Sequence, residues 1–177
     1  MADDSFGPAR APLLSDRQGF DRRWFAHNLE AVFAPTRAAE VTACVSEAVG
    51  RFGDAVKVAS GRHCYENFVY NDTTRAVLDL SALNQAGYDR ERQLFFVEGG
   101  CENWTAYRTL LNGYGKTLPA GSCYSVGAGG HITGGGYGLL SRLHGLTVDH
   151  LEAVDIVLWN SQQGEARLHH VSAQSLD

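Results

Sequence analysis

Residues 118–151, LPAGSCYSVGAGGHITGGGYGLLSRLHGLTVDHL, carry glycine at positions 121, 127, 129, 130, 134, 135, 136, 138 and 145. Glycine loses the most backbone entropy on folding and adds no side chain to a core, so the run is poor material for a regular helix or strand. The usual gain that offsets this is close approach of main chain to a flat or charged ligand, with amides donating where Cβ atoms would collide. Cys123 stands at the mouth of the run, and His63 lies sixty residues upstream in SGRHCYENF. A histidine, a cysteine and a glycine bed suit a covalently held cofactor better than a metal site. GGGYG lacks the G-x-G-x-x-G spacing of the dinucleotide fingerprint, and no G-x-x-x-x-G-K-[ST] loop occurs. His131, His144 and His150 are too scattered to require a metal.

Upstream of the glycine bed, residues 75–80 and 93–98 read as strands, with SALNQAGYDRER between them as a loop turning near Gly87 and Tyr88. A helix over residues 104–111 puts Trp104, Tyr107, Leu110 and Leu111 on one side as core and stops at Gly113. Farther back, the apolar residues 31–34 end at Pro35 as a buried strand. Thr36 then caps a helix over residues 37–50, with Val41, Val45, Ala48 and Val49 on one face and Gly50 or Gly53 ending it. Residues 55–59 form the next strand and lead directly into Ser60, Gly61, Arg62 and His63. This strand-to-loop junction is where amides of Ser60 and Gly61 can cradle a phosphate oxygen and Arg62 can add charge. Downstream of the bed, residues 139–143 suit one or two helical turns. Residues 151–159 and 166–171 read as an antiparallel hairpin. Residues 1–18, with Pro8 and Pro12 and no periodicity, read as a loose arm.

Two readings stay open for each reactive side chain. His63 is either a hydrogen-bonded polar residue at a strand end or a nitrogen nucleophile, since imidazole is largely uncharged near neutral pH. Cys123 is either a small packed hydrophobe or a thiolate nucleophile toward an electrophilic ring.

The chain has 177 residues, 44% of them hydrophobic and 20% charged, which bounds it to a globular protein of one or two small domains. A net charge of −5 gives no basic footprint, so nucleic acid and anionic membrane are not expected partners. No run approaches eighteen apolar residues, and MADDSFGPARAPLL lacks the order of a secretory signal, so a cytoplasmic setting is expected. Cys44, Cys64, Cys101 and Cys123 contain no C-x-x-C pair and are expected as free thiols.

Residues 58–68, VASGRHCYENF, together with residues 119–157, PAGSCYSVGAGGHITGGGYGLLSRLHGLTVDHLEAVDIV, resemble the FAD-binding part of berberine bridge enzyme-like oxidases. These belong to the vanillyl-alcohol oxidase and p-cresol methylhydroxylase (PCMH) fold class, and the bacterial secondary-metabolite members are nearest in flavour. The resemblance implies an α+β, PCMH-type FAD-binding domain over residues 19–177, built of two small subdomains, about 19–85 and 86–177. It implies FAD as cofactor, attached twice: His63 matches the histidine joined to the flavin 8α carbon and Cys123 the cysteine joined to C6. Ser60, Gly61 and Arg62 match the loop whose amides meet the pyrophosphate. Val126, Gly127, Gly130, Gly134, Gly135 and Gly138 match the bed lining the cofactor.

The family usually reads R-S-G-G-H at the histidine, whereas this chain has Ala59 for the arginine and Arg62 for the second glycine. The resemblance also implies hydride transfer from a hydroxyl-bearing carbon of a sugar or secondary metabolite, with dioxygen as oxidant, and it leaves the catalytic base unassigned. Family members run to several hundred residues, so a substrate domain and a final FAD-domain segment are expected from a second polypeptide. A non-catalytic FAD-binding or interaction subunit is the alternative, and purely structural roles for His63 and Cys123 are a third.

Overall fold

The computed structural model describes residues 9–172, and helices and strands mix throughout, as the α+β expectation requires. The chain divides into two units. Unit 1 draws on the residues up to Ala59, on His63–Asp79 and on the segment from Glu152, and unit 2 on Ser60–Arg62 and Leu80–Leu151. Where reading along the chain suggests one boundary near residue 85, the units interleave, because the terminal hairpin packs on the first helix, as described next.

Unit 1 is built on a three-stranded parallel sheet, β1 (Ala31–Phe33), β2 (Val56–Ala59) and β3 (Ala76–Asp79), in the order β1-β3-β2. Ala31 and Val56 both align with Ala76. The central strand β3 is buried along its whole length, as expected of a parallel strand covered on both faces. Ala26, Leu29, Val32, Ala59, Tyr70 and Val77 form the core beside it. Helix α1 (Ala38–Phe52) joins β1 to β2. Its first turn is closed by Glu40, whose carboxylate accepts from the amides of Thr36 and Arg37 at 2.8 and 3.3 Å, so the cap is this glutamate rather than the Thr36 hydroxyl. These amide bonds, with the Arg37 guanidinium, hold Glu40 down to about 2. Gly53, at φ +55, ends the helix.

Strands β6 (Ala153–Asn160) and β7 (Glu165–Ser172) form an antiparallel hairpin. It docks on α1 through the buried Ala166, whose amide donates to Ser46 Oγ at 3.0 Å. Residues 9–18 are not the loose arm that their composition suggests. Arg10 bridges to Val32 in antiparallel fashion and pairs with the buried Asp16 at 2.5 Å, so β1 has its outer edge covered. Residues 1–8 of that arm lie outside the described residues.

Unit 2 holds β4 (Ala86–Asp89), β5 (Leu94–Val97), α2 (Asn103–Tyr114), α3 (Ala128–Thr133) and α4 (Ser141–His144). The stretch expected to turn at Gly87 and Tyr88 is instead strand β4, antiparallel to β5 with Gly87 opposite Phe96. The Phe96 ring covers the glycine, standing 3.0 Å from where a Cβ would be, so the cross-strand neighbour supplies what Gly87 lacks. Helix α2 passes through Gly113 and stops at Gly115, the residue with φ +63. Its buried face is Asn103, Ala106 and Leu110, whereas Trp104 and Leu111 are exposed, which corrects the expected core face. Cys101, Ala106 and Ala128 centre the core, with Val97, Leu118 and Ile132 against them. Among the described residues no helix is long and apolar enough to cross a membrane.

Candidate functional site

Beyond β2 the chain enters the Ser60–Arg62 loop, whose geometry is set by glycine contacts within unit 2. A Cβ built on Gly61 would collide with the Gly127 nitrogen and stand 2.7 Å from the Ser125 carbonyl oxygen. A Cβ on Gly127 would collide with Ser60 Oγ and the Gly61 nitrogen. Only two glycines allow these main chains to meet. Ser60 Oγ donates to the Gly99 carbonyl at 2.6 Å, and the same carbonyl accepts from the Gly129 amide at 2.9 Å. The amides of Gly61 and Gly127, side by side, donate to no acceptor among the described residues. Two adjacent unspent N–H groups at the entry to α3 make a small anion cradle.

Arg62 follows with φ +60, the left-handed region that favours glycine. The family's second glycine therefore matches a backbone need at this position, and this chain meets it with a strained arginine.

The glycine bed proves to be partly helical: Ala128–Thr133 form α3 with Gly127 as N-cap. The helix tolerates Gly129 because a Cβ there would stand 2.6 Å from the Gly99 oxygen. Several glycines have internal reasons of this kind. Gly136, at φ +66, faces Thr147 Oγ1 at 2.7 Å from a built Cβ, and Gly138 abuts the Ala120 carbonyl while its amide donates to Ser141 Oγ at 2.9 Å. Gly134 ends α3, its amide donating to the Gly130 oxygen at 3.1 Å, and Gly135 adopts φ +105. Gly130 differs, since it is exposed and no atom lies within 4 Å of a built Cβ, so its lack of a side chain leaves open space. Val126 is half-buried beside Gly127, and its carbonyl accepts from the Asn103 amide at 3.0 Å.

The two reactive side chains belong to different units, His63 to unit 1 and Cys123 to unit 2. His63 is half-buried and stacks on Phe20, ring centroids 5.0 Å apart and 20° from parallel. Trp24 Nε1 and Arg23 Nη2 donate to the Tyr65 carbonyl at 3.0 and 3.2 Å, anchoring the chain two residues beyond. All four cysteines are free, and burial pushes three thiols up: Cys44, Cys64 and, to about 11, Cys101. Cys123 alone is exposed, the one thiol open to an incoming electrophile.

Three side chains, none of them given this role by the sequence reading, hold the main chain at Gly121 and Cys123. Asn103 Nδ2 donates to the carbonyls of Gly121 and Cys123 at 3.3 and 3.2 Å, and Tyr107 Oη donates to Gly121 at 2.6 Å. His131 Nε2 accepts from the Gly121 amide at 2.8 Å, a role for the neutral ring, and burial lowers its pKa accordingly. Asn103 and Tyr107 lie four residues apart and so share one face of α2, the only pattern that could have pointed to them. No cluster of three metal-ligating side chains occurs among the described residues.

Within unit 2, an anion cradle of glycine amides, open space at Gly130 and an exposed thiol fit FAD, whose pyrophosphate needs donors and whose ring takes nucleophiles. Residues 29–166 match the FAD binding domain family. Hexose oxidase from Chondrus crispus is 42% identical over 147 residues, covering 82% of this chain and 27% of that protein. Aclacinomycin-N/aclacinomycin-A oxidase from Streptomyces galilaeus is 41% identical over 150 residues, covering 85% and 27%. Among solved structures, a flavoenzyme of caerulomycin biosynthesis superposes with a TM-score of 0.88 at 40% identity, over 94% of this chain and 34% of its own. Glucooligosaccharide oxidase from Acremonium strictum, with a 6-S-cysteinyl, 8α-N1-histidyl FAD, shares the fold at 24% identity and a TM-score of 0.70, over 90% of this chain and 32% of its own. The chain spans about a quarter of the length of the curated relatives it matches. Its architecture is that of the PCMH-type FAD-binding domain. Over most of its length, the chain belongs to the FAD-binding domain family, in the company of the berberine bridge enzyme-like oxidases.

Proposed function

We propose that this chain is the FAD-binding part of an oxidase that converts a hydroxyl-bearing carbon of a sugar or sugar-bearing secondary metabolite to a carbonyl. The observation that carries the reading is the pair of unspent amides at Gly61 and Gly127 in a chain of the FAD-binding family. Those amides donate to the pyrophosphate, and Arg62 adds positive charge beside them. Gly130, with its open space, lets the main chain lie against the cofactor, and Val126, Gly134, Gly135 and Gly138 complete the lining, Gly138 by shaping the turn. His63 attaches through a ring nitrogen to the 8α carbon and Cys123 through sulfur to C6. Phe20 orients the imidazole by stacking. When bound, FAD would supply a hydride acceptor for the substrate carbon and a route for the two electrons to dioxygen, so that alcohol and dioxygen would become carbonyl compound and hydrogen peroxide. The protein's share is placement and electrostatic tuning.

The substrate class is supported by the relatives, a hexose oxidase and an aclacinomycin oxidase. The base that takes the hydroxyl proton, and the walls of the substrate site, come in this proposal from further polypeptide, a second chain in the simplest form. Leu139, Leu143 and Tyr137, 92%, 77% and 76% exposed, support an apolar surface that such polypeptide covers. Four free cysteines support a reducing, cytoplasmic setting.

The test is the denatured mass of the purified protein, with a visible spectrum before and after acid precipitation. A mass increase equal to one FAD, with yellow colour in the pellet, is expected. H63A and C123A should each keep the flavin by the remaining tether, and the double variant should release it. A colourless pellet and an unmodified mass from preparations supplied with FAD would overturn the two attachments. Flavin that stays oxidised with sugar substrates, even with the full oxidase assembled, would favour a non-catalytic FAD-binding subunit.

A further inference from the structure

Cys123 is exposed, yet the main chain on either side of it is among the most heavily bonded in unit 2. Its own carbonyl accepts from Asn103 Nδ2 and from the Val126 amide, at 3.2 and 3.4 Å. Two residues earlier, Gly121 is held at both ends: its carbonyl by Asn103 and Tyr107, its amide by His131. One residue later, the Tyr124 carbonyl accepts from the Trp104 amide at 2.9 Å. A Cβ on Gly121 would stand 2.9 Å from the His131 ring, so the imidazole is packed flush against this loop. An exposed loop that needs only to close a gap between elements has no use for a 97%-buried asparagine committed to two of its carbonyls. A side chain lent by α2 to fix a backbone is, by contrast, what a reaction demanding one approach geometry requires.

We propose that Asn103 and Tyr107 are positioning residues for the attachment of Cys123 to flavin: they fix residues 121–124 so that the sulfur is presented in one place. This rests on the attachment proposed above. In that step the Cys123 S–H and the flavin C6–H bonds break and an S–C bond forms. Two electrons pass through the flavin to dioxygen, which takes up the two protons as hydrogen peroxide. Asn103 and Tyr107 touch neither reacting atom. Burial raises the Tyr107 pKa, which keeps its hydroxyl a donor over the working range. Tyr107→Phe removes that one donor and keeps the ring. Asn103→Leu removes both amide bonds at similar volume, leaving the Gly121 carbonyl to Tyr107 and the Cys123 carbonyl to the Val126 amide.

The experiment compares the flavin-loaded parent, Y107F and N103L by peptide mass mapping, counting flavin on the His63 peptide and on the Cys123 peptide separately. Amide hydrogen exchange over residues 121–124 of the same proteins is measured alongside. Y107F is expected to lower the Cys123-linked fraction several-fold and N103L about tenfold, while the His63-linked fraction stays at parent level. A structural defect would lower both together. Exchange at residues 121–124 should quicken in both variants, with residues 94–97 of β5 unchanged as the internal control. Parent-like exchange in both variants would overturn the proposal, whatever the flavin does, and so would a Cys123-linked fraction that stays at parent level in N103L. A parent that carries no flavin on Cys123, but whose variants show the localised rise in exchange, would sink the attachment reading and leave the clamp on the loop standing.

Discussion

An aromatic ring stacks on His63, whereas the main chain at Cys123 is held by polar side chains. Phe20 lies on the imidazole, and the chain beyond is tied by one tryptophan N–H and one guanidinium to a single carbonyl. At Cys123 three polar side chains from two helices take the carbonyls of Gly121 and Cys123 and the amide of Gly121. A stack is broad and tolerates sliding, since its attraction is spread over many weak atom contacts. A hydrogen bond falls away within a few tenths of an ångström and outside a narrow angle. The Phe20 stack on the histidine therefore depends on area, and the clamp on the cysteine loop on individual atoms. This predicts that the two tethers fail separately and under different kinds of substitution.

The largest effect is expected where neither kind of support can compensate, at the glycine contact between the Ser60–Arg62 loop and α3. Gly127→Ala drives a methyl into Ser60 Oγ and the Gly61 nitrogen, and since one obstacle is backbone the loop must move. Overpacking of this kind costs about 3 kcal/mol or more, read as a fall in the denaturant midpoint. Gly130→Ala is the contrasting case. It sits inside α3 with nothing within 4 Å, so the chain should gain up to about 1 kcal/mol of stability. Its flavin uptake should fall, because the new methyl fills the space assigned to the cofactor. A G130A protein that is more stable and takes up flavin as the parent does would remove Gly130 from the cofactor bed.

How much of this was legible depends on whether the deciding partner lies nearby in sequence. The strands over residues 31–34, 55–59, 75–80 and 93–98 declare themselves by dense apolar residues bounded by turn formers, and α1 by its repeating valines. Strand β4 does not, because its glycine is completed by Phe96 across the ladder. Helix α3 is hidden for the same reason: its glycines read as loop until Gly99 is seen pressed against Gly129. The anchoring of residues 9–18 rests on Arg10 reaching Asp16 and Val32, a pairing that composition does not encode. At the site, Ser60 and Gly61 were legible from the strand-to-loop junction and Gly127 from the family resemblance, and their mutual contact gives both readings a steric reason. Asn103 and Tyr107 act on a loop 14 to 20 residues away in sequence, so nothing in that loop marks them.

On the histidine side, Phe20→Ala should cost about 1 kcal/mol, the worth of an aromatic pair beyond its buried area, because Phe20 is itself 60% exposed. Its sharper readout is the His63-linked flavin fraction, which should drop while the Cys123-linked fraction holds. Equal loss of both would break the distinction drawn between the two loops. Smaller still is Arg62→Gly. Relief of a left-handed arginine, worth about 1 kcal/mol, opposes the greater freedom of glycine in the unfolded chain and the loss of the arginine's contacts. Stability should therefore stay within about 1 kcal/mol of the parent, measured by denaturant, while weaker retention of non-covalent FAD in an H63A/C123A background would report the lost charge. A loss of stability well beyond that range would mean that the side chain's contacts, not the backbone, govern this position.

The smallest effect separates the loops by pH. His131 accepts from the Gly121 amide, which only a neutral ring can do, and burial already lowers its pKa in the folded chain. The unfolded chain, with an ordinary imidazole near about 6.5, then binds the proton more readily than the folded one. Its contribution to stability is complete above about pH 6.5 and is lost as pH falls toward the lowered folded value. Glu40 is also depressed, to about 2, but loses its share only in the carboxylate range below that window. His131→Gln retains an acceptor oxygen for the Gly121 amide and cannot titrate. The thermal midpoint of H131Q should therefore fall less than that of the parent between pH 6.5 and 5, with residues 121–124 losing protection, relative to the intrinsic exchange rate at each pH, only in the parent. The Tyr65 carbonyl, anchored by a tryptophan N–H and a guanidinium that do not titrate there, should show no such difference. If both loops loosened together on acidification, the cause would be a general weakening of the fold, and the polar clamp would lose its separate status.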